Sequence, residues 1–144
     1  MARNVLAVMI GYVSYFVMVF LTFSALYLLL GPEQTFVPGK FDVTMTWVVP
    51  SIALMIVCGL AGGFIAAIIG TDSRVGTGLA IAILVLGIAM TLPEMLAPPP
   101  TGVRDPNLGN WDAMLQARTP IWVLIANPVV AALGALVGTS FRRK

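Results

Sequence analysis

Three polar residues that lie in or beside long apolar runs, Thr91, Glu94 and Asn127, are the candidates for chemistry in this chain. Glu94 follows Pro93 and stands one helical turn beyond Thr91, so a helix would carry both on one face. A carboxylate at membrane depth is costly and is often kept to bind a proton or a cation. Its plainer role is that Pro93 ends the helix and Glu94 reaches solvent, or pairs with Arg118 or Arg104. Asn127 precedes Pro128, whose missing N–H frees the Leu124 carbonyl and predicts a kink. There the amide either lines a polar path or hydrogen-bonds across a helix interface, which is worth about 1 kcal/mol.

The rest of the inventory excludes more than it offers. No histidine is present, so no imidazole can ligate haem or zinc or act as a general base. Cys58 is the only cysteine, which excludes an internal disulfide, a CxxC redox pair and a thiolate cluster. Asp105, Asn107 and Asp112 lack EF-hand spacing and read as turn residues. We therefore expect no catalytic residue, no cofactor, no metal and no nucleic-acid partner. The short basic cluster Arg142, Arg143 and Lys144 suits anionic lipid head groups or the flank of a span.

The elements that position these residues follow from the charges. Of 144 residues only 14 carry one, and the windows 5–32, 43–71, 75–93 and 119–141 contain none. Each is long enough to cross an apolar layer of about 30 Å as a helix. The expected fold is all-α: a polytopic membrane protein with four transmembrane helices in an antiparallel bundle, forming one domain over 1–144. The spans read as about 5–30, 49–69, 75–92 and 120–141, with outer loops 31–48 and 93–119. One side then holds five basic residues against one acid, and the other three against five, which places both termini in the cytoplasm. The first run is too long for a signal-peptide core and reads as an uncleaved span.

Within the spans, Gly31-Pro32 predicts the end of the first helix, and Pro50 a position in the first turn of the second. Asp72 and Ser73 are candidate caps for the third, and Thr119-Pro120 starts the fourth. Trp111, Met114 and Leu115 share a face, which predicts a short interfacial helix over 110–118. Small residues recur at helical spacing as Gly59, Gly63, Ala66 and Gly70, and again as Asn127, Ala131, Gly134 and Gly138. In lipid such stripes mark close helix–helix contact, inside one bundle or between copies or partners. The loops are expected to be too short to bury a core of their own.

Gly11-Tyr12, the segment FVPGKFDVTMTW, GLAGGFIAAI and the closing PIWVLIANPVVAALGALVG together resemble a loose group of small bacterial four-span membrane proteins. The resemblance implies a four-span plan and a bacterial inner membrane, and it implies no reaction, ligand or site residue. The expected function is an accessory, assembly or stabilising subunit acting through helix–helix contacts, in a homo-oligomer or a larger membrane complex. The alternative is a small transporter or channel subunit with a polar path near Glu94 and Asn127.

Overall fold

The computed structural model describes residues 2–98 and 100–142 and is helical throughout its long elements. Met1, Pro99 and the tail residues Arg143 and Lys144 lie outside the described residues. In chain order the helices are α1 (Ala2–Thr35), α2 (Met45–Ile69), α3 (Arg74–Leu96), the short α4 (Asn110–Gln116) and α5 (Ile121–Ser140). All but α4 are long and apolar enough to cross a membrane.

Proline stops the helices less often than its chemistry suggests. Gly31 takes φ 71° and ψ 169°, so α1 breaks there, but a further turn runs from Pro32 to Thr35. Glycine, without a Cβ, adopts that conformation freely. Pro93 lies inside α3, which continues to Leu96 instead of ending at Leu92. Pro50 lies a full turn into α2, because that helix begins at Met45 and not near Val49. In each case one backbone hydrogen bond is lost, and the flanking turns are held by contacts with other segments. Pro38-Gly39 does form a turn, with Gly39 at φ 69° and Lys40 N–H donating to the Val37 carbonyl at 3.0 Å.

The chain runs up and down, yet the tightest contact is between two parallel helices, α2 and α5. Around the bundle the order is α1, α2, α5, α3, and α1 and α5 do not approach one another. Each of α2 and α5 therefore meets a parallel neighbour as well as an antiparallel one. The cause is the small-residue faces, since two backbones approach most closely where no side chain separates them. A Cβ on Gly59 or Gly63 would collide with the backbone of Ala131 or Ala135. Reciprocally, one on Gly134 or Gly138 would collide with the backbone at Ile56 or Leu60. The bundle axis is filled by Ala7, Cys58, Ala66, Leu79, Ile83 and Ala131, all fully buried.

At the end holding the chain termini, arginines cover the last carbonyls of α2. Arg3 Nε donates to Ile69 at 2.8 Å, and Arg142 donates to Ala67 at 2.8 Å and also to Ile68. Cations suit a helix C-terminus, where carbonyls lack partners and the dipole is negative. Asp72 accepts the Arg74 N–H at 2.9 Å in the turn before α3, whereas Ser73, at the N-cap, makes no capping hydrogen bond with its side chain.

At the opposite end the loops share a core with the helix ends, and bury none of their own. Tyr27, Phe36, Val43, Val48, Ala113 and Val123 are buried together. Trp47 packs edge-on against Phe23, with ring centroids 5.7 Å apart, and against Tyr27 at 6.4 Å. Such edge-to-face pairs set the positive rim of one ring against the negative face of the other. Helix ends and loops share this cluster, so neither needs a complete core alone. A bridge between Phe36 and Val43 closes the first loop on itself, and one between Asp42 and Arg118 ties it to the second.

Candidate functional site

The loop end is fastened by one buried cation. Arg104 is only 4% exposed, reaches Glu33 at 2.7 Å and lies over the Phe36 ring, 5.4 Å from its centroid. At that separation the ring face attracts the guanidinium. The Arg104 backbone N–H donates to Gly39 and its guanidinium to the Asp105 carbonyl, while Nε has no partner among the described residues. Nearby, the Tyr27 hydroxyl donates to the Leu108 carbonyl at 2.6 Å, and the Asn110 amide to Ser24 at 3.1 Å. Nothing in the spacing of Arg104 and Glu33, 71 residues apart, reveals that they meet.

Glu94 is not paired with either arginine through its carboxylate. Arg104 is committed to Glu33, and Arg118 donates to the backbone carbonyl of Glu94 at 2.8 Å, to that of Ala97 at 2.8 Å, and to Pro98. These carbonyls end α3, so Arg118 serves them as Arg142 serves α2. The Glu94 carboxylate instead accepts the Thr119 N–H at 2.6 Å. The capping expected from Thr119 itself is absent: α5 starts at Ile121, with the Pro120 carbonyl accepting from Val123 and Leu124. Through its carbonyl and its carboxylate, Glu94 joins the end of α3 to the segment that opens α5.

Thr91, Glu94 and Asn127 line one cavity of about 200 Å³, bounded by α1, α3 and α5 together with Met55 of α2. It lies between the diagonal helices α1 and α5, beside α3, and α1 contributes Tyr12, Tyr15 and Phe16 to its wall. Thr91 donates to the Ile88 carbonyl of its own helix at 2.8 Å, the usual outlet for a hydroxyl inside a span. The Tyr15 hydroxyl donates to the Met55 sulfur at 3.5 Å, and the Tyr12 and Tyr15 rings lie 6.1 Å apart. Asn127 Oδ1 is buried and accepts no hydrogen bond among the described residues, which leaves a costly acceptor unmet. Pro128 seats its ring on Gly87, where a Cβ would come within 2.7 Å of the proline Cβ. A second cavity of about 420 Å³ at the loop end shares Met90 and Glu94 with the first. Glu94 therefore stands between the two. The tyrosines were missed in the sequence, where nothing in their spacing joins them to Thr91, Glu94 and Asn127.

The stripe residues are shared among several neighbours. Gly59 and Gly63 face α5, and Ala131, Gly134 and Gly138 face α2. Ala66 is fully buried against Gly11 of α1, where a Cβ on Gly11 would meet the Ala66 methyl at 2.7 Å. Gly70 ends α2 and abuts Val75 across the turn. One stripe thus serves several contacts because α2 is wedged between α1 and α5. Among the described residues, no group of three or more His, Cys, Asp or Glu is placed to hold a metal ion. Comparison with protein-family models, with curated proteins and with solved structures gives no match.

Proposed function

We propose that this chain is a multi-pass protein of a bacterial inner membrane, with both termini cytoplasmic and no catalysis of its own. It serves as an accessory, assembly or stabilising subunit of a larger membrane complex, acting through helix–helix contacts. The observation that carries this reading is the filled bundle axis beneath a tied-down cap of loops, which leaves the outer surfaces to do the work. Those surfaces are apolar: Met9, Val13, Val85 and Leu133 all point outward from their helices. Trp111 and Leu115 of α4 also turn outward, as an interfacial helix requires. The least covered of the long helices is α1, which makes it the first place to look for a partner. Purification at native expression in mild detergent should recover a stoichiometric partner or a homo-oligomer. Repeated recovery of a lone monomer would refute the reading.

One observation favours a second reading, a small transporter or channel subunit: Thr91, Glu94 and Asn127 share a cavity that adjoins a larger one at the loop end. In reconstituted liposomes, flux that is unchanged by Glu94→Gln and Asn127→Leu would remove it.

A further inference from the structure

We infer that the cavity between α1, α3 and α5 is a binding site for a small organic cation, a protonated amine on a compact apolar body. It is the cavity of the transport reading, but binding there requires no movement of the ligand across a membrane.

The polar atoms that line the cavity set the ligand's chemistry. Asn127 Oδ1 is sealed from solvent with no donor among the described residues, and the Glu94 carboxylate has one oxygen engaged by the Thr119 N–H. The hydroxyl hydrogens of Thr91 and Tyr15 are already given to the Ile88 carbonyl and the Met55 sulfur. Their oxygens are left as acceptors. Among the described residues no lysine or arginine lines this cavity; Arg118 borders only the larger one. A group that enters it meets the Glu94 carboxylate and the two hydroxyl oxygens, with the Asn127 amide behind them offering its Oδ1 once it turns, and an ammonium with N–H donors answers these. Tyr12, Tyr15 and Phe16 add aromatic rings, whose faces attract a desolvated cation.

Size narrows the class further. Drug-sized pockets run from about 300 to 1,000 Å³, whereas this cavity is about 200 Å³. It takes a small aryl- or alkylammonium and not a whole lipid. The adjoining cavity of about 420 Å³ at the loop end shares Glu94 and Met90 with it.

The test uses the purified full-length chain in mild detergent with radiolabelled 2-phenylethylammonium in equilibrium dialysis. Saturable binding is expected. Glu94→Gln should weaken it about tenfold or more, a change equal to about 1.4 kcal/mol. Glutamine keeps an acceptor for the Thr119 N–H, so the variant should fold, and an unchanged melting temperature checks that. Asn127→Leu should weaken binding similarly, while Asp112→Asn, which removes an exposed charge from the same end, should leave it unchanged. Excess propylbenzene, the neutral analogue, should not displace the probe. Absence of saturable binding would overturn the proposal, as would equal affinity in wild type and Glu94→Gln, or full displacement by propylbenzene. Binding without liposome flux would uphold the site and refute only the transport reading.

Discussion

Adding a methyl group to Gly63 should destabilise the bundle, although alanine is the better helix former. An alanine Cβ there would lie 2.8 Å from both the carbonyl carbon and the Cα of Ala135, and closer still to its oxygen. Ordinary contact begins at 3.4 Å, and the obstacle is backbone, so no side chain can turn away. Helix α5 would have to retreat by about 1 Å to clear that oxygen, and a gap of that size forfeits roughly half of each dispersion contact along the seam. Overpacking of this kind costs about 1–3 kcal/mol, against about 1 kcal/mol gained by replacing glycine with alanine in a helix. Since the clash is with main chain, the upper half of that range applies, leaving a net loss of about 1–2 kcal/mol. Gly78 is the internal control. A Cβ there meets only the end of the Val8 side chain at 3.3 Å. Gly78→Ala should therefore be neutral or stabilising. Thermal unfolding in mild detergent, followed by circular dichroism, should show a lower midpoint for Gly63→Ala and not for Gly78→Ala. Equal or raised stability in Gly63→Ala and in Gly138→Ala would refute the α2–α5 seam.

Other changes test the cap and the contact between Gly87 and Pro128. Arg104→Gln should speed proteolysis of the segment 100–109 and cost about 1–3 kcal/mol. Glu33→Gln should cost less in the same assay, because the Glu33 side chain is 64% exposed. Solvent screens a charge so placed. Gly87→Ala should destabilise by pressing its methyl on the Pro128 Cβ, and Pro128→Gly, which removes that atom, should relieve the clash. By thermal unfolding the double variant should therefore be more stable than the sum of the single effects, by the usual coupling of about 0.5–3 kcal/mol for touching residues.

The four long helices were legible because charge is a strong signal: no charged residue interrupts 43–71 or 119–141, and one long helix occupies most of each. The stripes were legible as places of close approach, since Gly59 and Gly134 advertise room for a backbone whatever the neighbour is. Which helix approaches was not, because Gly63 and Ala66 lie on adjacent parts of one face and serve α5 and α1 respectively. Proline misled at Pro50 and Pro93, where the lost hydrogen bond is a local cost and the deciding contacts are distant in sequence. Burial of Val48 beneath the cap holds the start of α2, and Arg118 holds the end of α3. The cap itself, with Arg104 over Phe36, depends on residues drawn from two loops and carries no periodic pattern to read. The same holds for the cavity wall, where Tyr12 and Tyr15 gain meaning only from the absence of α5 beside α1.

The most direct test of a four-pass body is the sidedness of its two ends. In a Cys58→Ala background, single cysteines at Lys40 and Asn107 probe the loop end, and single cysteines at Ser73 and Ser140 probe the end holding the termini. In intact spheroplasts an impermeant maleimide should label positions 40 and 107 and should reach positions 73 and 140 only after the membrane is opened. Labelling of positions 40 and 73 from the same side would contradict the four-pass arrangement.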